Sequence, residues 1–145
     1  MKGNIKIFEK YSFEGVVHFA GLKAVGESVE MPLKYYENNF GGTCNLIDVM
    51  IEFGCYIFVF SSSATVYGDP SVIPIREDSK LNAINPYGRS KLMIEQFLQD
   101  IFSSSPFWRL GVLRYFNPIG AHSSGFIGEA PNSIPNNLIP FISQV

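Results

Sequence analysis

The sequence predicts an α/β fold with a parallel sheet on three observations. Short apolar runs alternate with longer amphipathic ones along the 145 residues. Three runs of strand length are separated by segments long enough for helices, the order that generates parallel strands. The side chains with chemical potential follow directly after the apolar runs, and parallel sheets gather their ligands at the carboxyl ends of strands.

Taken in order, 16–20 reads as a buried strand, Val-Val-His-Phe-Ala. Residues 32–53 read as a helix on which Leu46, Ile47, Met50 and Ile51 form an apolar stripe, with Gly41 and Gly42 expected to interrupt it. Segment 56–61 is a second strand. Residues 86–103 form a second helix, its buried face expected at Met93, Ile94, Phe97, Leu98 and Ile101. Its start is well signalled, because Asn85 can cap it and Pro86 suits the first helical position. Segment 110–116 is the third strand. Beyond Phe116 the chain turns rich in Pro, Gly, Asn and Ser, which reads as a ligand-contacting excursion before a final apolar helix.

Composition sets outer limits. With 46% hydrophobic and 17% charged residues, the chain can bury one core and reads as one soluble domain or part of one. A net charge of -2 without a polybasic run supplies no electrostatic basis for binding nucleic acid or an anionic membrane. Cys44 and Cys55 lack metal-ligand spacing and read as buried thiols. His18 in an apolar strand and His122 beside a glycine-rich loop both read as structural. The N-terminus lacks the apolar stretch of a secretory signal or membrane span, so a cytoplasmic location is expected.

The most informative segment is Tyr87-Gly-Arg-Ser-Lys91, downstream of the run that ends in Ser61-Ser-Ser-Ala-Thr65. Four residues apart on a helix, Tyr87 and Lys91 share a side, so the ammonium can sit beneath the phenol. A free tyrosine titrates near pH ~10; making it a proton acceptor near neutrality means lowering that by about 3 pH units, or roughly 4 kcal/mol. A buried cation and the positive end of a helix dipole both favour the phenolate. An isolated Tyr-x-x-x-Lys pair is common, however, and alone describes a packed tyrosine beside a solvated lysine.

Further segments keep the pair company: Gly15-Val-Val-His-Phe-Ala-Gly-Leu-Lys23, Phe60-Ser-Ser-Ser-Ala-Thr-Val-Tyr-Gly68, Leu113-Arg-Tyr-Phe-Asn-Pro118, Gly120-Ala-His122 and Ile134-Pro-Asn-Asn-Leu138. From about residue 15 to 145 this series resembles the UDP-glucose 4-epimerases, also called UDP-galactose 4-epimerases. They are extended short-chain dehydrogenase/reductases with a Rossmann-like fold, and the resemblance implies that this chain forms a partial doubly wound parallel sheet, lacking its first strands. The resemblance implies bound NAD, UDP-glucose and UDP-galactose as substrates, and a transient 4-keto sugar. It further implies that Tyr87 is the base at the sugar 4-hydroxyl, that Lys91 lowers its pKa and bonds the nicotinamide ribose, and that Ser63 relays or positions the proton. Ser61, Ser62 and Thr65 remain alternatives, since hydroxyls at a strand end also satisfy turn amides. Cofactor contacts are implied at Phe19, Ala20, Gly21, Lys23, Asn38 and Phe116, although Gly21 is equally a turn glycine by its position. Substrate contacts are implied at Asn117, Asn137 and Leu138. The helices at 32–53 and 86–103 correspond to those of the family's dimer interface, so a homodimer is expected.

Departures from the family pattern are small within the shared region, with Arg89 where a lysine is usual and Ala130 where an aspartate is common. The larger one is extent. Nothing in the 14 residues before Gly15 resembles the strand and glycine-rich turn that hold a dinucleotide pyrophosphate, and by the resemblance the chain is expected to include only the start of the sugar-binding domain. Residues 1–145 are therefore expected to form a partial NAD-binding domain, with 117–145 beginning the substrate-binding region and the strand at 16–20 left with a bare edge. Nucleotide-sugar 4,6-dehydratases resemble this chain less, because they place Asp-Glu where Ala64-Thr65 stands here. A UDP-glucuronate decarboxylase fits the Asn136-Asn-Leu138 segment less well than an epimerase does. A reading of another class is a non-catalytic remnant that only dimerises.

Overall fold

The computed structural model describes residues 2–120 and 122–127, together with Ile139 and Ile142. By its internal contacts the chain divides into two units, Met1–Tyr115 and Phe116–Val145.

The first unit is built on three parallel strands in the order β1-β2-β3: β1 (Gly15–His18), β2 (Ile57–Ser63) and β3 (Arg109–Tyr115). The register sets Val17 against Val59 and Val59 against Gly111, and His18 against Phe60 and Phe60 against Val112. β1 ends two residues earlier than the expected strand, and β2 runs two residues further, through Ser63. β1 is an edge strand among the described residues.

Helices lead into and connect the strands. α1 (Lys2–Lys10) precedes β1 and rests Phe8 on the core, with its ring 5.7 Å from that of Phe53. Between β1 and β2 come α2 (Val25–Glu30), α3 (Pro32–Tyr35), a π-helical segment (Tyr36–Gly41) and α4 (Gly42–Glu52). α5 (Pro86–Ser104) links β2 to β3 after a 3₁₀ turn at Ala64–Tyr67. Gly41 and Gly42 do not break the helical run as expected. The wider π turn, which ends at Gly41, absorbs one extra residue, α4 continues from Gly42, and the Thr43 hydroxyl donates to the Asn39 carbonyl at 2.7 Å.

The core lies on one face of the sheet, where Phe58 and Phe60 meet Ile47 and Met50 of α4, Ile94 and Leu98 of α5, and Trp108. The expected stripes are only half buried. Leu46, Phe97 and Ile101 pack against the core from its margin, whereas Ile51 and Met93 are exposed, because each helix meets the sheet along a narrower line than its apolar stripe covers. Cys55 is buried, but Cys44 is only half-buried, so the expectation of two buried thiols holds for one.

Within the second unit, a turn at 122–127 is closed by the His122 amide on the Ile127 carbonyl at 3.1 Å. His122 Nδ1 also accepts from the Ser124 amide at 3.2 Å. The expected final helix lies outside the described residues, save Ile139 and Ile142, which are helical.

Candidate active site

α5 positions the central pair. Asn85 caps it, its side-chain oxygen accepting from the Gly88 amide at 2.8 Å, and Pro86 occupies the first turn. The Tyr87 amide, an unpaired donor of that first turn, is taken by the Ser28 hydroxyl of α2 at 3.2 Å. The Ser28 hydroxyl donates in turn to the Val25 carbonyl at 2.6 Å. Gly88 is required by close approach, because a Cβ there would stand 2.9 Å from the Thr65 carbonyl oxygen. The Ser63–Thr65 turn and the start of α5 are therefore in contact, backbone to backbone.

Lys91 lies one turn beyond Tyr87, as the spacing requires. Its Nζ is 5.9 Å from the centre of the Tyr87 ring and 4.8 Å from that of Phe60, and it donates to the Ser61 carbonyl at 2.9 Å. Only 5% of the residue is exposed, and burial pushes the ammonium down from its ordinary value to about 8. At neutral pH it is still mostly a cation, now in a weakly screened setting where its field on a neighbouring phenol is strong.

Ser63 ends β2. Its hydroxyl oxygen accepts from the Thr65 amide at 3.2 Å and the Thr65 hydroxyl at 3.0 Å, which leaves its own proton for another acceptor. The neighbouring serines have separate duties. Ser61 offers its carbonyl to Lys91, and Ser62 turns to the helix side of the sheet and donates to Glu95 at 2.5 Å. The structure thus distinguishes three serines that spacing could not.

The loop after β1 reaches the same place. Gly21 bears no side chain where a Cβ would stand 3.2 Å from Asn39 Oδ1 and 3.6 Å from Lys91 Nζ. Asn39, buried in the π-helical segment, accepts from the Leu22 amide at 2.8 Å and donates to the Leu22 carbonyl at 3.0 Å and Ser90 Oγ at 3.3 Å. It ties that loop to α5, since Ser90 donates onward to the Tyr87 carbonyl at 2.7 Å. Asn38, the expected cofactor contact, is exposed beside it and donates to Asn39 Oδ1 at 3.0 Å; the structural tie made by Asn39 itself was not anticipated from the sequence. The available signal was helical phase, because Asn39 lies four residues from Tyr35 and from Thr43, both fully buried.

His18 stacks on Phe60, the ring that Lys91 also approaches, with ring centres 6.0 Å apart. The Thr43 hydroxyl hydrogen is committed to the Asn39 carbonyl, so the 3.1 Å contact between His18 Nε2 and Thr43 Oγ1 makes Nε2 the protonated nitrogen. Burial, and then the Lys91 cation, lower the His18 pKa, which keeps the ring neutral.

The remaining expected residues are placed less tightly. Phe19 is exposed, with its ring 6.1 Å from that of Tyr115, and Ala20 and Lys23 are exposed in the same loop. Phe116 and Asn117 open the second unit. Asn137 and Leu138 lie outside the described residues.

The site thus sets Tyr87 and the buried Lys91 of α5 beside the carboxyl end of a parallel sheet, where β2 ends in Ser63, the end at which sheets of this class take their ligands. The family model for the NAD dependent epimerase/dehydratase family matches residues 3–145, and the chain belongs to that family. More particularly, it is 59% identical over 140 residues to a bifunctional UDP-glucose 4-epimerase and UDP-xylose 4-epimerase of Pisum sativum, covering 97% of this chain and 40% of that one. Among solved structures it is similar to the UDP-glucose 4-epimerase of Bifidobacterium longum in complex with NAD+ and UDP. The TM-score is 0.92 and the identity 48%, over 97% of this chain and 42% of that one. A UDP-glucose-4-epimerase of Stenotrophomonas maltophila, with bound NAD and formylated UDP-arabinopyranose, gives 0.93 and 43%, over 99% and 43%. The chain spans about 40% of the length of the curated relatives it matches.

Proposed function

We propose that this chain carries the proton-transfer half of a UDP-glucose 4-epimerase, interconverting UDP-glucose and UDP-galactose with NAD as cofactor. The observation that carries the reading is the buried Lys91 ammonium, held on the Ser61 carbonyl beside Tyr87 and next to the side-chain-free Gly21.

The residues present suit the nicotinamide-ribose side of the cofactor. Lys91 has three N–H groups, and among the described residues its one hydrogen bond is to Ser61. Gly21 leaves open the approach that a Cβ would fill. Phe19, Ala20, Lys23, Asn38 and Phe116 are assigned to the same ligand. NAD, when bound, supplies a reversible acceptor for the hydrogen and electron pair of the sugar C4.

The chain's own groups handle the proton. Tyr87, as phenolate, accepts it from the 4-hydroxyl as the C4–O bond becomes a carbonyl, and returns it after the keto sugar has presented its other face. Lys91 sets its positive charge beside the Tyr87 ring, 5.9 Å from its centre, where negative charge arising on the reacting oxygens is favoured. Ser63 donates its uncommitted proton toward the same oxygen, and Asn117, Asn137 and Leu138 hold the UDP-sugar.

The break between Tyr115 and Phe116 supports a division into a partial cofactor domain and the beginning of a substrate region at 117–145. Dimerisation through helices 32–53 and 86–103 and a cytoplasmic location belong to the same reading. Among the described residues no helix is long and apolar enough to cross a membrane.

The test is Tyr87→Phe, with turnover of UDP-galactose and thermal shift by NAD, alone and with UDP, as readouts. Turnover should fall by about 10²–10⁴-fold while the NAD-induced shift persists. Unchanged turnover would remove Tyr87 from the chemistry. No turnover and no shift in the parent chain would leave the remnant reading.

A further inference from the structure

Tyr87, Lys91 and Glu95 recur every fourth residue of α5 and share one face, but the chemistry above uses only the first two. Glu95 is buried, two turns below Tyr87, and its partners are unusual for a core position. Its Oε1 accepts from Ser62 Oγ at 2.5 Å. Arg114 of β3 grips both carboxylate oxygens, Nε at 3.1 and 3.2 Å and Nη2 at 2.8 Å. The guanidinium then reaches past the carboxylate, its Nη1 donating to the Tyr67 hydroxyl and the Glu77 carbonyl, each at 2.9 Å.

We propose that Glu95, gripped by Arg114, is a positioning residue that fixes where Ser63 stands relative to Tyr87 and Lys91. This rests on the proton-transfer reading of those three residues. Two successive residues of β2 are bonded to successive turns of one helix, Ser61 to Lys91 and Ser62 to Glu95, and Ser63 follows at once. Tyr67 ends the 3₁₀ turn that Ser63 begins, and Arg114 holds it to the same carboxylate. Segment 61–67 is thus pinned at both ends, with Ser63 and Thr65 between the pins. An apolar pair of equal volume would cover this surface without fixing the register of helix on strand, because dispersion contacts have no direction and charged bidentate hydrogen bonds do. Stability alone is a poor reason for such a pair, since desolvating two charges offsets much of their attraction.

The experiment compares Glu95→Gln and Ser62→Ala with the parent protein; the second removes the Ser62 bond to the helix but keeps the Arg114 pair, and so tests the idea even if the first folds poorly. The expected result is a fall in kcat of about 10–100-fold with KM nearly unchanged. In a background of Ser63→Ala, neither change should lower kcat much further, because both act through that hydroxyl. Exchange of the Thr65 amide, which bonds Ser63 Oγ, should quicken by about tenfold without comparable change elsewhere in β2 and α5. Losses that multiply fully with Ser63→Ala, or exchange that quickens everywhere alike, would overturn the proposal in favour of a merely structural pair. The amide readout needs no turnover, so failure of the epimerase reading and failure of the clamp are separately visible.

Discussion

Lys91 carries a charge that is costly to bury. Burial holds its pKa at about 8, against an ordinary 10.5, so between those values the unfolded chain binds a proton that the folded chain does not. Stability contributed by this group therefore rises with pH through that window, and the cost of the buried charge is present in full below about pH 8. At ~1.4 kcal/mol per pH unit the window is worth about 3 kcal/mol. Lys91→Met should consequently stabilise the fold at pH 7 relative to the parent, and that advantage should shrink by up to about 3 kcal/mol by pH 11 while turnover is lost throughout. Urea unfolding at the two pH values measures it; a difference that does not change with pH would show that the ammonium is not desolvated. The pairing of Tyr87 with Lys91 was legible in the four-residue spacing. The Ser61 carbonyl that anchors the ammonium was not, because a main-chain acceptor leaves no mark in a residue pattern.

The start of α5 brings two elements together at a glycine. A Cβ at Gly88 would stand 2.9 Å from the Thr65 carbonyl oxygen and 3.3 Å from the Ala83 methyl, so Gly88→Ala, which would ordinarily favour a helix, must push α5 off the 3₁₀ turn. A loss of about 1–3 kcal/mol is expected from overpacking, together with a fall in kcat as Tyr87 and Ser63 separate. Thermal unfolding and kinetics on the same sample check both, and a more stable, fully active variant would contradict the contact. The three strands and the two long helices were legible from periodicity, and Asn85-Pro86 marked the start of α5. α2 was missed because its cap, Ala24, offers no side-chain acceptor, so the usual start signal is absent. The π-helical turn was missed for a different reason. Two glycines suggest a break when only local propensity is weighed, whereas the tertiary demand for Asn39 at the Leu22 backbone is met by widening one turn and keeping the helix whole. The Glu95–Arg114 pair lies 19 residues apart in sequence, on a helix and a strand whose packing no short pattern encodes.

The overestimated apolar stripes have a consequence for assembly. Ile51 of α4 is 45% exposed and Met93 of α5 is 38% exposed, although both continue stripes whose other halves, Ile47, Met50, Ile94 and Leu98, fill the core. A stripe wider than one interface needs a second, and the proposed homodimer through these two helices would cover the remainder. Replacing Ile51 by Lys and Met93 by Glu places charge where an apolar surface would be desolvated, while neither residue belongs to the sheet-facing core. The dimer dissociation constant should rise by about 10–100-fold, read by sedimentation equilibrium across a concentration series. Val17→Lys, on the exposed side of β1, adds charge to the sheet instead of the helices and serves as the control. If it weakens association as much as the helix pair does, or if the helix pair leaves association unchanged, the dimer is not built on α4 and α5. In the expected case the Tyr87–Lys91 geometry survives, because Met93 points away from the face of α5 that carries Tyr87, Lys91 and Glu95.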